Sequence, residues 1–240
     1  MTHSQGHSAT CHSGHHVATR TVRSGGLAAL AIGTGLVGRN RMLRWGTDGD
    51  EGTTGLAGDD ILPKANLTAT RAIGIAASPE DVWPWLAQIG QGRGGFYSYE
   101  FLENVIGRAD IHNAHRIVPQ WQEVRVGDQV RLHPEIALAV VDLRPGSHLV
   151  LRGAVPMGDV APPYDFTWAF CLRRQLDGST RLLIRERYTD TRWWARPLVE
   201  VVSIVAFAMT QRMLRGIRDR AQSTSVPRQD LPARVERPVA

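Results

Sequence analysis

The sequence predicts an α+β domain: a curved antiparallel sheet wrapped around a long C-terminal helix, with two short helices after the first strand. Three observations carry that reading. Extended segments follow one another at 127–133, 136–143, 147–153, 165–175 and 180–189, with Pro145-Gly146 and Asp177-Gly178 as turns. Strands so closely joined pair antiparallel, because parallel partners need a long crossover. The last element, about 195–220, sets Leu198, Val201, Val202, Val205, Met209, Met213 and Ile217 on one broad apolar face. Finally, 240 residues that are 42% hydrophobic and 21% charged describe a globular chain able to bury a core.

The elements justify themselves in order. LTATRAIGIA, residues 67–76, alternates as a strand does. Ser78-Pro79-Glu80-Asp81 then reads as a helix start, with serine as cap and proline in the first turn. Val82, Trp85, Leu86 and Ile89 follow at helical spacing, and Pro84 predicts a kink or a short first segment. A second helix is expected over 98–106, starting at Ser98 and stopping before Gly107. Arg212, Arg215, Arg218 and Arg220 sit near the negative end of the last helix. A helix of that length covers a bent sheet of six or seven strands without filling it, which predicts a pocket between the layers.

Around this core, residues 1–45 read as a basic, partly apolar extension, 46–66 as a linker, 67–221 as the domain and 222–240 as a loose tail. The net charge of +5 resides wholly in Arg20, Arg23, Arg39, Arg41 and Arg44, and basic and acidic residues balance from 46 onward. The domain therefore lacks the electrostatic footprint of a nucleic-acid binder. No run of eighteen uninterrupted apolar residues is present. The apolar stretch 25–38 between arginines is short for a span, so 25–44 is expected at most to touch a membrane surface. His3, His7, His12, His15 and His16 beside Cys11 could capture a metal, but a solvated tail is the ordinary reading. Two cysteines 160 positions apart argue for a reducing, cytoplasmic compartment and against a disulfide framework.

The segment TRAIGIAASPEDVWPWLAQIGQGRGGFYSYEFLEN (Thr70–Asn104) resembles bacterial SRPBCC proteins of the START and birch-pollen-allergen superfamily. QWQEVRVGDQVRLHP (Gln120–Pro134), MLRGIRDRAQ (Met213–Gln222) and RWG (Arg44–Gly46) add to the likeness, which covers most of 44–222. It implies a helix-grip fold and a pocket for apolar molecules. The superfamily holds lipid carriers, hormone receptors, polyketide cyclases and aromatases, and oxygenase domains, so the chemistry stays open. No catalytic motif transfers.

Candidate ligand contacts follow from residue type. Fifteen of the sixteen aromatic residues lie between Trp83 and Phe207. Trp85, Phe96, Tyr97, Tyr99, Phe101, Trp121, Trp168 and Phe170 could line a cavity or simply fill the core. Val201, Val205 and Met209 of the last helix would complete its wall. GQGRGG, residues 90–95, has the letters of a dinucleotide fingerprint but follows a helix, so a capping loop at the pocket mouth explains it better. Arg93 in that loop could greet an anionic head group. Leu182, Ile184, Glu186 and Tyr188 share one strand face; turned inward, Glu186 would enter apolar surroundings as a ligand contact or general acid, or pair with an arginine. His112 and His115 lack a third metal ligand, an acid–base role for Asp110 with His115 has no support, and Cys171 has no neighbouring base. The expectation is a cofactor-free, metal-free binding or transport protein for a lipid or polyketide-like molecule. The alternatives are a cyclase or aromatase using the same cavity, with Glu186, Tyr97 and Arg93 converging, and a membrane-associated accessory protein.

Overall fold

Alternation along the strands decides which side chains meet the C-terminal helix and which face away. The computed structural model describes residues 37–101, 104, 110–153 and 163–225. The histidine-rich start, the arm over 25–36 and the tail beyond 225 lie outside them, as do parts of the expected 98–106 helix, where 100, 101 and 104 are helical. The chain divides into two units, Met1–Arg41 and Met42–Ala240. Residues 37–41 of the first are helical.

Six strands of the second unit form one sheet: β1 (Leu67–Ile75), β2 (Gln129–His133), β3 (Ile136–Arg144), β4 (His148–Gly153), β5 (Tyr164–Arg174) and β6 (Thr180–Asp190). Their order is β1-β6-β5-β4-β3-β2, every pairing antiparallel. Register shifts between Arg131 and His133 and between Val140 and Asp142 mark bulges, which bend a sheet. Helix α1 (Pro79–Ala87) leaves β1 through the expected cap, the Asp81 N–H donating to Ser78 Oγ at 3.3 Å. Pro84 lies inside this single nine-residue helix. The long helix α2 (Ala195–Ser225) packs on the inner sheet face, a helix-grip-like α+β arrangement.

Inner-face positions carry the main core: Ala69 and Ile75, Leu149 and Leu151, Phe166 to Leu172 at every second residue, Leu182 and Ile184. Val199, Met213, Leu214, Ile217 and Ala221 of α2 are buried with them. The expected face is in large part the inward one, with Met213 and Ile217 in the core and Leu198 and Val202 packed against it, but Val201 and Val205 at its margin are 59% and 58% exposed. Apolar residues surround the N-terminal half of α2, so periodicity alone could not choose its buried side.

On the outer face Ala72, Val150, Ala169, Cys171 and Leu183 form a second cluster, covered by Leu56, Ala57 and Ile61. The Gly-, Asp- and Thr-rich stretch expected as a linker is thus seated on the sheet. Outward arginines of β6 hold it: Arg181 on Asp48 and Glu51, Arg185 on Asp59 at 2.5 Å and on the Thr54 carbonyl, Arg187 on the Leu62 carbonyl.

Candidate functional site

Between the inner sheet face and α2 lies a cavity of about 620 Å³. That is within the ~300–1,000 Å³ usual for small-molecule sites. Phe166 and Trp168 of β5 and Tyr188 of β6 supply its aromatic wall, with Tyr164 at the start of β5 and Phe96 from the loop after α1. The rings form one continuous array: Phe166 stacks 4.7 Å from Tyr188 and 6.5 Å from Trp168, which lies 6.1 Å from Phe96. Val202, Val205, Ala206, Met209 and Met213 of α2 form the opposite wall, and Leu132 and Ile136 close one side. Of this lining, Val205 is 58% exposed to solvent.

One polar cluster interrupts this apolar lining. Glu186 on β6 faces the cavity, yet its carboxylate does not stand alone: Arg71 Nη1 donates to Oε1 at 2.6 Å, with side chains 0% and 2% exposed. Thr210 Oγ1 of α2 donates to the same oxygen at 2.8 Å, and the Tyr188 hydroxyl lies 3.3 Å from Oε2. The remaining Arg71 donors reach the Met42 and Ser203 carbonyls, and its guanidinium lies 5.6 Å from the centre of the Phe207 ring. Burial first, and the Glu186 charge second, push the Tyr188 hydroxyl well above the ordinary tyrosine range. Burial pushes Tyr164 up too. Both line the cavity as neutral phenols. Trp168 Nε1 is buried without a hydrogen-bond partner among the described residues.

Of the sequence-derived candidates, Phe96, Trp168, Glu186, Val205 and Met209 stand on the cavity wall. Phe101 and Val201 are 73% and 59% exposed, and the other six are elsewhere. Trp85 and Tyr97 are core residues in edge-to-face contact at 5.8 Å, the Tyr97 hydroxyl donating to the Trp85 carbonyl. Phe170 is fully buried behind Trp168, 4.7 Å ring to ring. Tyr99 is 42% exposed, and Trp121 sits half-buried in a 3₁₀ turn, Pro119–Trp121. Arg93 folds back to donate to the Ala87 and Trp121 carbonyls, so its guanidinium pins the loop to α1. Tyr97, Arg93 and Glu186 do not converge.

The 90–95 loop is a tight structural turn: Gly90 and Gly95 form a bridge, and a Cβ at Gly94 would lie 2.7 Å from the Gln88 carbonyl. His112 pairs with Asp110 at 3.1 Å in an exposed position, and no group of three metal-ligating side chains occurs among the described residues. Sequence reasoning missed Arg71, Tyr188 as a polar partner, and Thr210. Arg71 was visible in principle, because Ala69, Arg71, Ile73 and Ile75 share one face, and an arginine in such a row needs a buried counter-charge.

No family model matches the chain, and no curated protein does. Similarities among solved structures are remote. A crystal structure of a Mesorhizobium loti protein is 15% identical and covers 67% of this chain and 100% of its own, with a TM-score of 0.41. A conserved protein from Geobacillus kaustophilus is 16% identical, covering 66% and 97%, with a TM-score of 0.40. The Aha1 dimer from Colwellia psychrerythraea is 13% identical, covering 67% and 99%, with a TM-score of 0.37.

Proposed function

We propose that the chain binds a hydrophobic small molecule, lipid or polyketide-like, in the cavity between the sheet and α2. The observation that carries this is the 620 Å³ space itself, walled by aromatic and aliphatic side chains. Burying guest surface there gains about 25 cal/mol per Å² of apolar area. An oxygen on the guest would satisfy the buried Trp168 indole N–H, which has no partner among the described residues. The resemblance of Thr70–Asn104 to SRPBCC proteins agrees with such a role.

The state of Glu186 favours binding over catalysis. Oε1 accepts from Arg71 and Thr210 and Oε2 faces the Tyr188 hydroxyl, so the carboxylate is engaged as the centre of a buried ion-pair cluster rather than as a free group facing a guest. A cyclase or aromatase reading needs converging acid and base groups, and Tyr97 and Arg93 are engaged elsewhere. The test is solvent extraction of natively purified protein followed by mass spectrometry, with titration of N-phenyl-1-naphthylamine beside it. A stoichiometric apolar compound, or saturable probe binding at one site, is expected. Neither copurified guest nor saturable binding would overturn the proposal.

A further inference from the structure

Beside the cavity, α2 turns an apolar stripe outward. Val201, Ile204 and Val205 are 59%, 56% and 58% exposed, and exposed Ala208 extends the row. Their spacing of three and four residues puts them on one helix face. Just ahead of α2, Trp193 and Trp194 are 93% and 41% exposed. Exposed arginines bracket the stripe, Arg192 and Arg196 before it and Arg212 after it. The carboxylate between Arg192 and Arg212 is Glu200, which is half-buried. His133 and Glu135 are the titratable residues that the β2–β3 hairpin brings to the cavity.

We infer that this face docks on an anionic lipid bilayer, with the stripe and the indoles at the boundary of headgroups and acyl chains and the arginines on lipid phosphates. Aliphatic side chains, exposed tryptophans and flanking cations are what such an interface rewards. A second copy of the chain fits less well, because an isologous contact would set these arginines near one another. The helix is long and apolar enough to cross a membrane by composition. It lies on the surface instead, because Leu214, Ile217 and Ala221 are buried in the core and Thr210 is bonded to Glu186. Docked this way, Val205 stands on the cavity wall and against the acyl chains at once, so an apolar guest entering past it would not cross water. That last clause rests on the cavity reading; the docking does not.

Flotation of the full chain with vesicles of equal parts phosphatidylglycerol and phosphatidylcholine, against phosphatidylcholine alone, tests the inference. The parent chain is expected to float with the anionic vesicles and to lose binding as salt rises. The double variant Trp193→Ser/Ile204→Ser should bind at least tenfold more weakly. Each of Arg192→Gln and Arg196→Gln should cost about fivefold on anionic vesicles. A parent that does not float, or a Trp193→Ser/Ile204→Ser variant that floats equally well, overturns the docking. So does light scattering that finds a dimeric parent and a monomeric variant. N-phenyl-1-naphthylamine titration of the same variant in solution separates the two proposals. Retained probe binding with lost flotation supports a docking role apart from the cavity, whereas a floating parent that takes up no probe leaves the docking and removes the cavity.

Discussion

Arg71 and Glu186, 115 residues apart in sequence, meet at 2.6 Å in the interior of the protein. The β1–β6 register makes the contact, since Ala69 lies opposite Glu186 and Arg71 opposite Ile184, one diagonal step along the same face. Thr210 draws α2 into the same group, so a single carboxylate ties both edges of the cavity together.

Glu186→Gln should therefore destabilise the fold by about 3–5 kcal/mol, because it strands a buried guanidinium. Arg71→Met paired with Glu186→Leu should recover most of that loss, since an apolar pair of similar volume carries no desolvation cost. Urea unfolding of the two variants, compared at equal slope, measures the difference.

Met209 lines the cavity from α2. Met209→Trp should fill the space and weaken N-phenyl-1-naphthylamine binding at least tenfold, about 1.4 kcal/mol. Thermal unfolding close to that of the parent would tie the loss to occupied volume.

Burial pushes the Cys171 thiol from its ordinary 9.0 up to about 11. A folded value above the unfolded one means that the native state holds the proton more tightly. Its contribution to stability is fully present below about pH 9 and fades as pH climbs toward 11. Tyr97, Tyr164 and Tyr188, also raised by burial, add to the alkaline loss. Cys171→Ala should flatten the fall between pH 9 and 11 in denaturant titrations. In a Cys11→Ser background the native protein should resist thiol reagents at pH 8, and the unfolded chain should react.

Gly216 lets α2 cross Tyr97 closely: a Cβ there would stand 2.3 Å from the Tyr97 carbonyl oxygen. Alanine improves helix propensity by about 1 kcal/mol, but the contact is with backbone and cannot swing aside. Gly216→Ala should lose about 1–3 kcal/mol net in urea unfolding. Tyr97 is fixed from several sides, with φ of 56°, its N–H on Asn113 and the Arg220 guanidinium 4.8 Å from its ring centre.

Period-two alternation made the sheet legible, but on β6 it left two candidate faces, and the packing of α2 decides that Glu186 and Tyr188 turn inward. The turn pairs at 145–146 and 177–178 located the hairpins to within a residue or two. What escaped depends on contacts between distant segments. Arg93 was exposed by its loop composition, yet finds two carbonyls on neighbouring elements. Trp85 and Phe170 match cavity residues in type, and the crossing position of α2 alone decides that they belong to the core. The 46–66 stretch resembled a linker because its affinity for the sheet lies in Asp48, Glu51 and Asp59, which ordinarily mark solvent. The outward Arg181, Arg185 and Arg187 were the matching signal.

That acidic clasp sets a limit on protein engineering. A shortened fragment starting at the first strand would strip the cover from Ala72, Val150, Ala169, Cys171 and Leu183 and leave a ladder of guanidinium groups with no anions. Such a fragment would expose a sticky, cationic flank and precipitate or recruit nucleic acid. Expression boundaries for crystallisation or biosensor work belong upstream of Leu43, before the clasp begins.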